Sequence, residues 1–134
     1  MNFDFYNNPY PSKRNSIFAK NGMVATSNIL ASEAGIEILK KGGNAIDSAI
    51  ATAAALTVVE PTSNGLGGDA FAIIYFKNKI YAINGSGFSP KNLDIEKILS
   101  LNLNKIPLYG LIPITVGGIP ATWAALNKRF GKLK

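Results

Sequence analysis

No cysteine and no histidine occur among the 134 residues. Without cysteine the chain has neither a disulfide framework nor thiolate chemistry, and without histidine it lacks the commonest general base and the commonest zinc ligand. A self-contained serine triad or zinc hydrolase is thereby excluded. Acidic residues are also few, eight against fourteen lysines and arginines, which leaves a net charge of +6 and a pI near 9.6. Such a balance raises the question of phosphate-rich partners. However, Lys128, Arg129, Lys132 and Lys134 lie within the last seven residues. A solvated helix end, favoured by the helix dipole, is the simpler account of that tail, and no nucleic-acid partner is expected. The apolar run Ala49–Val59 falls short of the roughly 20 residues of a membrane span, so it is assigned to a core helix and no membrane partner is expected. Residues 1–20 carry Asp4, prolines and Lys13-Arg14 without a continuous apolar core, which is unlike a signal peptide. The expected location is cytoplasmic.

A composition that is 47% hydrophobic over this length suits one ordinary folded domain. Its centre is Gly42–Phe71. Gly42-Gly43 ends one helix, Asn44 caps the next, and Asp47 suits the positive start of that second helix. Ala49, Ala51, Ala53, Ala54 and Ala55 leave little bulk on any face, which predicts a helix buried all round until Pro61 stops it at Glu60.

Before this centre, residues 1–21 form a polar and aromatic arm expected to be extended, and Gly22–Ser27 is expected to be a short strand. A helix capped by Ser27 or Asn28 should follow to about Lys41, with Leu30, Ala34, Ile38 and Leu39 inward and a Glu37–Lys41 pair outside. After the glycine loop, Ala70–Phe76 and Lys79–Ile83 flank Lys77-Asn78 as a hairpin. Asn84–Pro90 is a turn-rich exit suited to a pocket wall. Asp94–Leu101 and Ala121–Phe130 are further helices, the last with Trp123, Leu126 and Phe130 inward. A helix apolar on every side needs more cover than this chain supplies, so the pattern is that of part of a larger αβ sandwich, an α+β fold with helices packed on antiparallel strands.

Chemistry-bearing motifs are sparse. Gly65-Leu66-Gly67-Gly68-Asp69-Ala70 fits the spacing of a dinucleotide loop, but it follows a helix and precedes a strand, the reverse of what phosphate binding at a helix start requires. A tight turn, with Gly65, Gly67 and Gly68 as a pocket-lining loop, is favoured instead. Ser86 lies between glycines with no histidine to serve it, and is favoured as a turn residue over a nucleophile. Asp47, Glu60 and Asp69 are the nearby carboxylates, and no spacing pairs any two of them on one helix face.

Taken in order, Gly22–Ser27, Leu30–Gly35, Lys41–Asp47, Val59–Gly68, Ser89-Pro90 and Gly117–Trp123 closely resemble the start of the γ-glutamyltranspeptidase family across nearly the whole chain. Tyr10-Pro11-Ser12-Lys13-Arg14 is most similar to the cytoplasmic, unsecreted branch. The resemblance implies an N-terminal-nucleophile hydrolase, an αββα sandwich matured by self-cleavage, of which residues 1–134 would be the N-terminal part of the large subunit. The nucleophilic threonine would lie on the small subunit and use its own amine as base, so no cofactor, metal or catalytic residue is expected in this chain. The implied partners are the remainder of the large subunit, the threonine-bearing small subunit and a small acyl amide substrate. Alignment on Pro90 places Ser86 where the family carries an arginine that clamps the γ-glutamyl α-carboxylate. One neutral hydroxyl in place of a bidentate ionic pair loses about 2–4 kcal/mol of recognition. A different acyl group, or a carboxylate held elsewhere, would fit better. A standalone remnant or small binding module is the alternative reading.

Overall fold

The computed structural model describes residues 16–134. Most of the arm expected over residues 1–21, and the Tyr10–Arg14 motif within it, therefore lies outside the described residues. Six elements follow in order: α1 (Ile29–Lys40), α2 (Ala45–Val59), β1 (Ala70–Phe76), β2 (Lys79–Gly85), α3 (Ile95–Ser100) and α4 (Ile119–Phe130).

Local chemistry sets the helix ends. The Asn28 side chain accepts from Leu30 N to open α1. At the far end Gly42, at φ +89°, turns the chain so that its N–H reaches Leu39 O while Gly43 N–H reaches Ile38 O. This is the paired closure for which glycine past a helix end is selected. Asn44 then accepts from Ile46 N and Asp47 N, and Asp47 returns the favour to Asn44 N at 2.9 Å, a complete capping box. On the wet side of α1, Lys41 pairs with Glu37 at 2.6 Å and holds its carboxyl below the usual value.

Helices α1 and α2 meet through small residues. Ala31 and Gly35 are the buried positions of α1, facing Ser48 and Thr52 of α2, and Ser48 Oγ donates to Gly35 O at 2.9 Å. A methyl group at Gly35 would fall on Thr52 Oγ1. The expected inward face of α1 needs correction on this point: Leu30 is exposed, because the close crossing rotates Ala31 and Gly35 to the interface. The two helices are latched at their other ends. Ser27 Oγ donates to a Glu60 carboxylate oxygen, and Asn28 Nδ2 donates to Val59 O at 3.3 Å.

Strands β1 and β2 form a two-stranded antiparallel sheet in which Ile74 faces Tyr81 and Ala70 faces Gly85. Lys77 and Asn78 both take positive φ, 49° and 60°, the backbone that a two-residue hairpin turn requires. One face of the hairpin is covered by α4. Phe130 lies with its ring centroid 5.0 Å from Tyr81 and 5.8 Å from Phe76, and Ile74, Ile119 and Leu126 are buried. Trp123 and Phe130 are half-buried. On the opposite face Phe71, Ile73, Tyr75 and Ile80 are between 66% and 83% exposed.

Two further expectations are corrected. Gly22–Ser27 is extended but forms no strand, because among the described residues β1 and β2 pair only with each other and no ladder reaches it. Helix α2 is not buried all round. Only Asp47, Ser48 and Thr52 are buried, while Val58 is exposed, since α1 and α4 cover it on limited arcs. Among the described residues no helix is long and apolar enough to cross a membrane.

Gly35→Ala is expected to destabilise the chain by about 1–3 kcal/mol through overpacking. Adding Thr52→Ala, which removes the colliding oxygen, recovers part of that loss as a positive coupling in a urea-unfolding double-mutant cycle.

Candidate functional site

Ser86 sits at the mouth of a hollow of about 480 Å³ between the end of β2, the exit turn and the start of α4. It is lined by the apolar side chains of Ile83, Phe88, Val116 and Ala121, the polar ones of Asn84, Ser86 and the buried Thr122, and glycine backbone at 85, 87, 117 and 118. The local sequence dictates this shape. Asn84 Oδ1 accepts from Ser86 N at 3.0 Å and bends the chain out of the strand. Phe88 O then accepts from Val116 N at 2.9 Å, and Thr115 Oγ1 donates to Ser86 O at 3.3 Å, so the segment leaving β2 is stitched to the segment entering α4.

Glycines make that stitch possible. A side chain at Gly85 would collide with Thr122 Oγ1, one at Gly87 with Val116 O, and one at Gly118 with Gly85 O. Gly87 also holds φ +79°, which L side chains rarely adopt. Gly118 N–H donates to Gly68 O at 2.9 Å, and Gly117 packs on the backbone of Gly67.

The expected pocket loop thus takes a supporting position. Gly67 and Gly68 lie behind Gly117-Gly118, and Gly65 closes their turn by accepting from Gly68 N, whereas none of the three lines the hollow at Ser86. The packing of Gly117-Gly118 on this loop was not read from the sequence, where the tight turn was placed at Gly65–Gly68 alone; two adjacent glycines were the signal that could have found it.

The three carboxylates serve separate places. Asp47 and Glu60 stand at opposite ends of α2, about 20 Å apart along the axis. Glu60 receives Ser27 Oγ, and Asp69 is exposed. Asp47 is 7% exposed and accepts from Asn44 N, Lys132 N (3.0 Å), Leu133 N (3.2 Å) and Asn127 Nδ2 (3.3 Å). Burial pushes its carboxyl up, but the backbone N–H groups of Asn44, Lys132 and Leu133 together with the Asn127 amide outweigh it, and the group titrates below the ordinary 3.8. It is a structural clamp. Asn44 Nδ2 reinforces it by donating to Phe130 O at 2.6 Å. Of the basic tail, Arg129 stacks over Tyr81 and Phe130 at 4.9 and 5.1 Å. Among the described residues no three carboxylates gather into a cation site.

A second hollow, about 590 Å³, runs beneath the extended segment Asn21–Thr26 along α2, bounded by Leu39, Ala49, Ala53 and Leu56. Its lining carries no charged side chain.

A helix pair and a helix-backed antiparallel hairpin, joined through glycine loops, define this chain as part of an N-terminal-nucleophile hydrolase fold. The family model described as Gamma-glutamyltranspeptidase matches residues 31–134, and the chain belongs to that family, where it corresponds to the N-terminal segment. It is 42% identical over 125 residues to the glutathione hydrolase-like YwrD proenzyme of Bacillus subtilis, covering 88% of this chain and 23% of that protein. Its backbone matches the crystal structure of cephalosporin acylase from Bacillus halodurans with a TM-score of 0.86 and 55% identity, over 99% of this chain and 25% of that one. The γ-glutamyltranspeptidase of Pseudomonas nitroreducens matches with a TM-score of 0.77 and 32% identity, over 87% of this chain and 36% of that one. The chain therefore spans about a quarter to a third of the relatives it matches.

Replacing Asp47 by Asn presents an amide to N–H donors. It is expected to lower stability at pH 7 by about 1.5–3 kcal/mol, the range for hydrogen bonds to a charged group. Because the folded carboxyl titrates below its ordinary value, the stabilisation is complete above about pH 4 and is lost as pH falls through the lowered value. Urea unfolding at pH 7 and pH 2.5 should show the gap between wild type and Asp47→Asn closing in acid. Separately, Gly118→Ala should break the contact with Gly85 O. Faster hydrogen exchange at the residue-118 amide in the variant than in the wild type, with the amides within β1 unchanged, would report the opened stitch.

Proposed function

We propose that this chain is the N-terminal segment of a γ-glutamyltransferase-like amidohydrolase or acyltransferase, that it carries no catalytic residue of its own, and that Ser86 faces the acyl group of the substrate. The observation that carries this reading is the bare outer face of the hairpin. Phe71, Ile73, Tyr75 and Ile80 form an apolar surface with no cover among the described residues, in a chain whose backbone follows a quarter of an acylase at TM-score 0.86. Surfaces of this kind mark contacts with further protein. The half-covered helix α2 and the unladdered segment Gly22–Ser27 support the same reading, each lacking the neighbours its composition calls for.

The partners are then the remainder of a large subunit and a small subunit that begins with the nucleophilic threonine. The relatives bear the names of a glutathione hydrolase-like proenzyme, a cephalosporin acylase and a γ-glutamyltranspeptidase. Those names share an acyl group that is cut from, or moved between, amines. We assign the same reaction class to the assembly containing this chain, with small acyl amides as substrates. On the likeness of Tyr10–Arg14 we place it in the unsecreted, cytoplasmic branch.

Affinity capture of the tagged chain from its own cells, with intact-mass and N-terminal analysis, tests the proposal. The expected result is a bound polypeptide beginning with threonine, and an assembly that releases nitroaniline from acyl p-nitroanilides while the purified chain does not. Turnover by the purified chain would overturn its lack of a nucleophile. Recovery of the chain alone at 14.3 kDa with a sharp, reversible melt would replace the enzyme reading by that of a standalone module.

A further inference from the structure

We propose that the end of this chain at which α1 and α4 finish and the hairpin turns is a docking surface for an acidic stretch of a partner polypeptide. The inference rests on the reading that the chain works within a larger assembly, and it adds where one contact lies and what chemistry the partner brings to it.

The net charge of the chain collects at this end. Lys128, Arg129, Lys132 and Lys134 lie in the last turn of α4 and just beyond it. Because Asn44 Nδ2 donates to Phe130 O at 2.6 Å and the Leu133 side chain lies against Gly43, the end of α4 stands beside the end of α1, with Lys40 and Lys41. The Phe130 ring is 5.8 Å from that of Phe76, the last residue of β1, which adds Lys77 and Lys79 at the hairpin turn. All of these basic residues are exposed. Among the described residues the carboxylates set between them are Glu37, already paired with Lys41, and Asp47, buried among its N–H donors. Glu33 stands a turn further back along α1. The remaining six basic and six acidic residues of the sequence cancel, so the whole net charge of +6 belongs to this cluster. Helix dipoles favour the cations at the ends of α1 and α4. They do nothing for Lys77 and Lys79 on the hairpin, so like charges are gathered here beyond what the helix ends call for.

The neighbouring surface selects protein over nucleic acid. The outer face of the hairpin, with Phe71, Ile73 and Tyr75 exposed, runs up to the same turn, where Tyr75 Oη donates to Asn78 Oδ1 at 3.0 Å. An apolar patch bordered by charge is the make-up of a protein interface, and a phosphate-lined groove would meet a ribbon face that carries no cation. Nor is a stacking platform open to bases. Arg129 lies over Tyr81 and Phe130 at 4.9 and 5.1 Å, and Lys77 Nζ lies over Phe76 at 5.3 Å, so the rings at this end carry the chain's own cations. A guanidinium held on two rings is pre-organised for a carboxylate, which takes two of its N–H groups at once.

The test treats the assembly captured with the tagged chain with a water-soluble carbodiimide, which joins an amine to a carboxylate only where the two touch, and maps the joined peptides by mass. Lys128, Lys132, Lys77 or Lys79 is expected to be found joined to Asp or Glu of the bound polypeptide. The double variant Lys128→Glu/Lys132→Glu is expected to retain about tenfold less of that polypeptide at 0.15 M salt, and 0.5 M salt is expected to weaken capture by the wild type more than by the variant. A bound polypeptide that is joined elsewhere and is retained equally by the variant would overturn the inference while leaving the assembly reading intact. Nuclease-sensitive capture of nucleic acid through the same lysines would overturn it in favour of a phosphate partner. Recovery of the chain with no polypeptide bound would overturn both readings. The joined peptides of the wild type decide even where the double variant fails to fold.

Discussion

A single buried carboxylate holds the two ends of this structure together. Asp47 belongs to the first turn of α2, where it completes a capping box with Asn44, yet three of its four donors come from the other end of the chain, at Asn127, Lys132 and Leu133. A charge taken out of water is tolerable only where such donors converge on it. The same contact closes the start of α2 and fixes the exit of α4, with Asn44 adding a bond to Phe130 O. Since Phe130 is also the ring that packs on Tyr81 and Phe76, the clamp sets how the helix pair stands against the hairpin.

From that placement the hollow at Ser86 follows. Helix α4 starts with Gly118 against Gly85, and its first turn lies close enough to β2 that only glycines fit between them. The site is thus built mostly from backbone, with neutral side chains in its lining. Backbone-built walls hold their geometry without the conformational cost of ordering long side chains, and they offer little that can be ionised.

Where the determinants are local, the residues announce the structure. Asn28 and Asn44 as caps, Gly42-Gly43 as a closure, Pro61 as a stop and Lys77-Asn78 as a hairpin turn are each decided within a few residues, and each stands where expected. The turn-rich exit Asn84–Pro90 was legible for the same reason, Asn84 Oδ1 accepting from Ser86 N two residues on. What is set at a distance was not legible. Nothing near Asp47 discloses Lys132, and nothing near Gly67 discloses Gly117. The strand expected at Gly22–Ser27 and the full burial expected of α2 failed for a related reason: their residues record a preference for neighbours, and the described chain supplies only some of them. Leu30 left the expected inward face of α1 because a glycine, silent in a hydrophobic pattern, decided where two helices cross.

The span between Asp47 and Lys132 also bears on how the protein is made. Eighty-five residues separate the carboxylate from its last donors. At ribosomal speeds of roughly 5–20 residues per second, about 4–17 s pass between the synthesis of the two. During that interval α2 has emerged with its negative charge unclamped and its alanine-rich flank open to water. Closing a loop of that length comes late in folding, since its entropy must be spent before the contact returns anything. The order of translation, rather than the strength of any one contact, therefore determines when the fold can first exist.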